Sequence, residues 1–230
     1  MSTLSARVDA VRERIARAAA RAGRASDSVR LVAVAKRHPA DAVREAHALG
    51  LRAFGENYAQ ELVAKAAEVG PLADIEWHMI GHLQTNKARV VAPVITMVHT
   101  IDSAQIANEL AKRAAKISRS IRTLIEVNVA KDPSKTGCAP GELGAIIDAV
   151  RAAAGALELR GLMTMPPYSD DADAGRPFFA HLRDLQARHG GPRALPELSM
   201  GMSHDLEAAI AEGATIVRVG TAIFGDRQGP

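Results

Sequence analysis

The sequence has little cysteine, few aromatic residues and no long apolar run. Its single cysteine, Cys138, cannot form an internal disulfide, which suits a reducing compartment. Aromatic residues make up 3% of the 230-residue chain, which argues against a base-stacking surface for nucleic acid. No apolar run is long enough to cross a bilayer, and the charged amphipathic N-terminus differs from a signal peptide. We therefore expect a cytoplasmic protein that binds neither nucleic acid nor membrane.

No strong charge of one sign and no linker is present either. The formal net charge is +3, and the basic residues mostly alternate with acidic ones along helical segments, as on a solvated surface. No proline- or glycine-rich stretch divides the chain. With 47% hydrophobic residues, the composition suits one globular unit, and we predict a single domain over residues 1–230.

Short apolar runs alternate with longer segments of helical period along the whole chain. An opening helical segment, roughly 5–23, precedes eight such runs: SVRLVAVAK, LRAFGEN, IEWHMIG, TMVHTID, RTLIEVNV, LELRGLMTM, ELSMG and TIVRVGTAIFG. Strict alternation with nearly continuous apolar strands is typical of a parallel sheet covered by helices. Eight repeats predict a (β/α)8 TIM barrel with an additional N-terminal helix. The alternative is an open doubly wound sheet, but the glycine fingerprint of dinucleotide binding is missing from the first turn.

Lys36 follows the first apolar run directly and precedes a proline-led helix. An arbitrary lysine is usually an ordinary surface charge. At the mouth of a barrel, however, partial desolvation would lower the lysine pKa and favour the neutral amine, which is the form that attacks an aldehyde. Lys36 is therefore a candidate for Schiff-base formation.

The last two predicted strands end in residues that suit a phosphate group. Gly220 and Thr221 follow strand eight, where backbone N–H groups, a hydroxyl and the start of a short helix could cradle an anion. The neighbouring LSMGMSHD segment adds Ser199 and Ser203. A tight turn that closes the barrel, together with helix capping by Ser203, is the structural alternative.

Arg218 lies two residues before Gly220, so the period of a strand puts both residues on one face. A guanidinium directed into a barrel needs a partner, because an unpaired buried charge is costly. A salt bridge to an inward acid such as Glu126 would supply one. The functional alternative is a hydrogen bond to a heteroatom of an aromatic cofactor.

The histidines and the cysteine do not form a metal-binding pattern. His78 and His82 are four residues apart, but Gly81 and the apolar run make a helix unfavourable there. No cluster of carboxylates and cysteines accompanies them, so we predict no metal site. Cys138 lacks a recognisable base partner, so we predict an ordinary thiol rather than a nucleophile.

Seven motifs, in order AVAK, GENYAQE, WHMIGHLQTNK, SKTGC, GLMTM, LSMGMSHD and VRVGTAIFG, strongly resemble the pyridoxal phosphate homeostasis protein family over almost the whole chain. The resemblance implies a barrel like the N-terminal domain of alanine racemase that binds pyridoxal 5'-phosphate (PLP) without established catalysis. By motif position it implies that Lys36 is the Schiff-base lysine and that Arg218 faces the pyridine nitrogen. The implied phosphate and pocket residues are Ser199, Gly220 and Thr221, then Asn57, His78 and Gly81 with Met200 or Met202.

The chemistry of such a site favours a carrier over an enzyme. An arginine at the pyridine nitrogen disfavours protonation of PLP and weakens its capacity as an electron sink, although racemases can still operate with an arginine there. Alanine racemase also uses a tyrosine from a separate C-terminal domain, and neither Tyr58 nor Tyr168 lies in a segment resembling it. We expect a monomeric, non-catalytic regulator that buffers PLP or delivers it to apo PLP-dependent enzymes. The alternatives are a PLP-dependent amino-acid racemase and a Schiff-base aldolase acting on a phosphorylated sugar.

Overall fold

In the computed structural model, eight parallel strands form a closed barrel in sequence order, and the eighth strand pairs with the first. The structure describes residues 2–225. The strands are β1 Arg30–Val34, β2 Ala53–Glu56, β3 Glu76–Met79, β4 Met97–Ile101, β5 Ile121–Glu126, β6 Leu157–Met163, β7 Glu197–Ser199 and β8 Ile216–Val219. Each predicted apolar run coincides with one strand to within a few residues, and the closed order rules out an open doubly wound sheet. The predicted fold class is confirmed.

Helices surround the strands and fill most of the connections. They are α1 Leu4–Arg21, α2 Ala40–Ala48, α3 Ala59–Val69, α4 Ala88–Val91, α5 Ala104–Ala115, α6 Leu143–Ala152, α7 Arg176–Arg188, α8 Gly191–Ala194, α9 Leu206–Ala211 and α10 Thr221–Phe224. Among the described helices, none is both long and apolar enough to cross a membrane.

The additional N-terminal helix α1 is held by an apolar stripe. The Thr3 side chain accepts a hydrogen bond from the Ala6 N–H and caps the helix start. Val8, Val11 and Ile15 recur at spacings of three and four, which places them on one face, and all three are buried. This face packs against α9 and α10, so α1 covers the last repeat of the barrel.

Two layers of apolar side chains form the core, as the period of two along a strand requires. The outer layer lies between strands and helices. The smaller inner layer fills the barrel itself and consists of Val32, Ala53, Met97, Leu124, Met163 and Ile216. Polar side chains also point inward, because His78 pairs in register with Met97 and Arg218 with Val32. Polar and apolar side chains therefore share the barrel interior.

Candidate functional site

A cavity of about 450 Å³ opens at the C-terminal ends of the strands. Its size is typical of a small-molecule site. The residues predicted for a cofactor site that line it are Lys36, Asn57, Gly81, Arg218, Gly220 and Thr221. Although strands β1, β2, β3 and β8 are distant in sequence, the closed barrel brings these six residues around one cavity.

The backbone on both sides of Lys36 is held by side chains of α3. Lys36 lies in the turn after β1, and the preceding carbonyl, that of Ala35, accepts a hydrogen bond of 2.6 Å from Lys65 Nζ. The next backbone N–H, that of Arg37, donates to the Glu61 carboxylate. Arg37 has φ 63°, in the left-handed region that a non-glycine residue rarely adopts. These two contacts fix the direction in which the chain leaves the strand at Lys36.

Lys65 is a buried cation shared by two carboxylates. Its Nζ lies 2.5 Å from Glu56 Oε1 and 3.0 Å from Glu61 Oε1, so together with Ala35 it uses its three donors. Glu56 is fully buried, and its Oε2 has no hydrogen-bond partner among the described residues. Burial raises the pKa of Glu56 to about 7, although the ammonium groups of Lys65 and Lys36 act in the opposite direction.

Gly81 allows the loop after β3 to approach the end of β2. A Cβ atom at this position would lie 2.2 Å from the Asn57 carbonyl oxygen, so any side chain would push the two loops apart. The carbonyl of Gly81 accepts a hydrogen bond of 2.7 Å from Thr100 Oγ1. The close packing places Gly81 and Asn57 side by side in the cavity wall.

The loops after β7 and β8 meet at the opposite side of the cavity. Ser203, Gly220 and Thr221 line it, and the Ala222 N–H lies 3.4 Å from Ser203 Oγ. The N–H groups of Ile223 and Phe224 bond to the Gly220 carbonyl, so they are not available to a ligand. The hydroxyls of Ser203 and Thr221 are the side-chain donors for an anion at this end. The donor set at this end fits a phosphate group.

The side chain of Arg218 lies in the barrel interior and also lines the cavity. It is 5% exposed, and its Nη1 donates to Ser199 Oγ at 2.7 Å while its Nη2 donates to the Thr164 carbonyl at 3.1 Å. In the part of the chain that the structure describes, no carboxylate lies within 4.0 Å of Arg218, so the salt bridge to Glu126 is not formed. Burial lowers the pKa of Arg218 to about 10, which leaves it charged at neutral pH.

Glu126 lines the same cavity and has one unused oxygen. Its Oε1 accepts a hydrogen bond of 2.9 Å from Thr136, whereas its buried Oε2 has no partner among residues 2–225. Burial raises the pKa of this carboxyl, and the charge of Arg218 opposes the rise. An unpaired buried oxygen in a cavity wall is a contact point for a polar ligand.

Three residues predicted for the cofactor site lie outside the cavity lining. His78 and Ser199 are fully buried beneath it and contact the same residue, His99. Met200 is fully buried in the outer apolar layer, whereas Met202 lines the cavity. Their role as direct cofactor contacts stays a prediction, and the structure gives Ser203 the position at the cavity that the sequence suggested for Ser199.

Several cavity residues have no signal in the sequence pattern. His38, His82 and Tyr168 line the cavity, the last from the segment between β6 and α7. His38 stacks on Phe224 with ring centroids 4.9 Å apart, and His82 Nδ1 lies 3.1 Å from a carboxylate oxygen of Asp102. These contacts join loops of different repeats, so no local pattern could predict them.

Neither a metal cluster nor a reactive thiol accompanies the cavity. Among residues 2–225, no group of three or more His, Cys, Asp or Glu side chains could hold a metal ion. Cys138 is buried, and burial raises the pKa of its thiol to about 12, which keeps it protonated at neutral pH. The functional groups that line the cavity are amine, guanidinium, imidazole, hydroxyl and carboxyl groups.

The fold and the cavity define a class first: a (β/α)8 barrel that presents a lysine, an arginine and a glycine–threonine turn at the C-terminal ends of its strands. The family model described as "Alanine racemase, N-terminal domain" matches residues 7–228. A pyridoxal phosphate homeostasis protein of Pseudomonas aeruginosa is 46% identical over 228 residues, covering 99% of this chain and 97% of that one. The chain belongs to the alanine racemase N-terminal domain family and, within it, to the pyridoxal phosphate homeostasis proteins.

Solved structures give the same result. PipY of Synechococcus elongatus PCC7942 without PLP has a TM-score of 0.86 at 38% identity, and the match covers 97% of this chain and all of PipY. PipY with PLP bound has a TM-score of 0.84 at 37% identity, with the same coverage. Alanine racemase of Streptomyces coelicolor A3(2) shares the fold, with a TM-score of 0.71 at 20% identity. The match covers 96% of this chain and 58% of that racemase.

Proposed function

We propose that this protein binds PLP in the cavity as a Schiff base on Lys36 and acts in PLP homeostasis by buffering or delivering the cofactor. One observation carries the proposal: Lys36, Arg218 and the Gly220–Thr221 turn line a single cavity of about 450 Å³. The relatives named as PLP homeostasis proteins and the PLP-bound structure of PipY support the same cofactor. The proposal covers binding and handling of PLP, not turnover of a substrate.

The side chains of the cavity match the functional groups of PLP one by one. After its ammonium group loses a proton, the Lys36 amine would condense with the aldehyde, forming a C=N bond and releasing water. Ser203 and Thr221 suit the phosphate, and Arg218 suits the pyridine nitrogen. We therefore propose Ser203, rather than Ser199, as the serine at the phosphate.

The charge of Arg218 and the position of Tyr168 both bear on the choice between a carrier and a racemase. A guanidinium that stays charged at neutral pH disfavours a proton on the facing pyridine nitrogen, and PLP withdraws electrons less strongly without that proton. Tyr168 reaches the cavity but is 75% exposed, and its hydroxyl donates to Asp170 at 3.0 Å. A phenol held by a carboxylate at the surface is poorly placed to move a substrate proton, which favours the carrier.

An absorbance titration tests the binding proposal. Adding PLP to the intact protein is expected to produce a shifted visible absorption band that sodium borohydride fixes to the chain. Lys36→Ala should abolish both the band and the fixation. The matched control is Lys116→Ala, at an exposed lysine that ends α5. A band that survives in Lys36→Ala, or its absence in the intact protein, would contradict the proposal.

A second pair of measurements separates the carrier from the racemase. PLP-loaded protein incubated with L-alanine should leave the optical rotation unchanged, whereas a racemase would remove it. The loaded protein should also restore the activity of an apo PLP-dependent enzyme in the presence of a scavenger that consumes free PLP. Loss of optical rotation would favour the racemase, and failure to restore activity would count against delivery.

A further inference from the structure

A chain of buried hydrogen bonds leads from Arg218 in the cavity wall to the opposite end of the barrel. Arg218 Nη1 contacts Ser199 Oγ at 2.7 Å, and Ser199 Oγ lies 2.9 Å from His99 Nδ1. His99 Nε2 lies 2.9 Å from His78 Nδ1, and His78 Nε2 lies 3.2 Å from Glu76 Oε2. We call these five residues the relay. It joins strands β8, β7, β4 and β3 through the barrel interior.

Hydrogen-bonding capacity gives the relay one direction. A guanidinium donates and cannot accept, so Ser199 Oγ accepts from Arg218 and has its own O–H left to donate. At the other end, an ionised Glu76 carboxylate can only accept, so a neutral His78 carries its proton on Nε2 and accepts on Nδ1. His99 therefore carries its proton on Nε2 and donates to His78 Nδ1. The unprotonated Nδ1 of His99 then accepts the O–H of Ser199.

The far end of the relay is a carboxylate held in its ionised form. Glu76 accepts from His78 and from Arg122 Nη2 at 2.7 Å, and Arg30 Nη1 lies 3.3 Å away. The hydrogen bond from His78 and the cation of Arg122 lower the pKa of Glu76 to about 2. The relay thus runs from a cation at the cavity to an anion at the N-terminal ends of the strands, and every bond has the same direction.

Burial keeps both imidazoles neutral. His78 and His99 are fully buried, and desolvation lowers the pKa of each, that of His99 well below its ordinary value. The cations of Arg218, Arg30 and Arg122 add to the effect on His99. A second proton on either imidazole ring would also place two hydrogen-bond donors opposite each other within the relay. The geometry therefore leaves one tautomer for each histidine.

We infer that His99 and His78 are positioning residues that hold Arg218 in a single orientation, with its guanidinium presented to the pyridine nitrogen of PLP. The inference rests on the proposed function for the identity of the ligand, although the relay itself does not depend on it. Thr164 fixes Nη2, and Ser199 fixes Nη1 because its hydroxyl is already oriented by His99. Without that orientation the Ser199 hydroxyl could rotate, and the guanidinium would lose one of its two fixed contacts.

Nitrogen NMR of the ligand-free protein tests the relay without any cofactor. Long-range ¹H–¹⁵N correlation at pH 7 should show His78 and His99 as neutral rings protonated on Nε2. Arg218 should give separate Nη resonances, as expected for a guanidinium that cannot rotate freely. A ring protonated on Nδ1, a charged ring, or averaged Arg218 resonances in the intact protein would overturn the inference.

Two substitutions at one position separate the hydrogen bonds of His99 from its volume. His99→Gln keeps an acceptor and a donor, whereas His99→Leu keeps neither. Separate Arg218 Nη resonances should persist in His99→Gln and average in His99→Leu. If His99→Leu does not fold, Ser199→Ala replaces it, because it breaks the link to Arg218 and leaves the two histidines in contact. Unchanged Arg218 resonances in whichever of these variants folds would contradict the role of the relay.

A ligand pair measures the effect at the cavity. Pyridoxine 5'-phosphate has no aldehyde, and an analogue with C–H in place of the ring nitrogen differs only at the atom that faces Arg218. Calorimetric titration should show about a tenfold or greater preference for the nitrogen compound in the intact protein and in His99→Gln. The preference should fall to about twofold or less in His99→Leu. A preference for the nitrogen compound that is retained in His99→Leu would overturn the inference. If neither compound binds to the intact protein, the proposed ligand is refuted, and the NMR result alone decides on the relay.

Discussion

Replacing Lys65 by methionine removes the cation that joins α3 to the strand end before Lys36. Methionine is similar in length and apolar, so the substitution changes charge and hydrogen bonding more than volume. It leaves the fully buried Glu56 without its ammonium partner and the Ala35 carbonyl without the donor that lies 2.6 Å away. Removing one partner of a buried pair costs about 3–5 kcal/mol. We expect Lys65→Met to lower the free energy of unfolding by that amount at pH 8.

The loss should depend on pH in a defined direction. In the intact protein the pKa of Glu56 is raised to about 7, so Glu56 is ionised at pH 8 and protonated at pH 6. Without Lys65 its pKa rises further, and the folded variant keeps the proton at pH 8. Above pH 7 the folded variant then binds one more proton than the intact protein, and its stability falls by about 1.4 kcal/mol per pH unit. Below pH 7 both folded states bind the proton, and the difference is constant.

Urea unfolding at pH 6 and pH 8 measures both parts of this prediction. The destabilisation by Lys65→Met should be about 1.4 kcal/mol larger at pH 8 than at pH 6. Measured against Glu56→Gln instead of the intact protein, Lys65→Met should destabilise equally at both pH values, since the amide does not titrate. A destabilisation below about 1 kcal/mol at pH 8, or one that is equal at both pH values, would refute this account of the buried pair.

The remaining predictions concern a glycine and the cysteine. Gly161→Ala should lower the free energy of unfolding by roughly 3 kcal/mol or more, because a Cβ would lie 1.8 Å from the Glu197 carbonyl oxygen of the neighbouring strand. Gly141→Ala is the control, because no atom lies within 4 Å of the position that a Cβ at residue 141 would occupy. Equal urea midpoints for the two variants would contradict the steric explanation. Because burial raises the pKa of Cys138 to about 12, the folded protein at pH 8 should react with a thiol reagent at least about a thousandfold more slowly than the urea-unfolded chain. Similar rates in the two states would show that the thiol is accessible and ionised.

Local patterns in the sequence determined the barrel and part of its site. Apolar runs of strand length, segments of helical period and strict alternation depend on neighbouring residues, so they predict strands, helices and their order. In a parallel barrel every strand ends at the same face. For that reason the positions of Lys36, Arg218 and Gly220 near strand ends were enough to predict a shared cavity.

Tertiary structure alone decided which side chains face that cavity. Ser199 and Ser203 are four residues apart in one polar segment, but β7 ends at Ser199, which points into the barrel, and the following loop brings Ser203 to the cavity. His78 meets His99, and Lys65 reaches Ala35, across 21 and 30 residues of sequence. Such contacts depend on strand register, stagger and loop path in the closed barrel, and no pattern within one segment encodes them. The sequence therefore specified the lysine and its barrel, whereas the closed fold determined the buried partners that hold Lys36 and Arg218 in place.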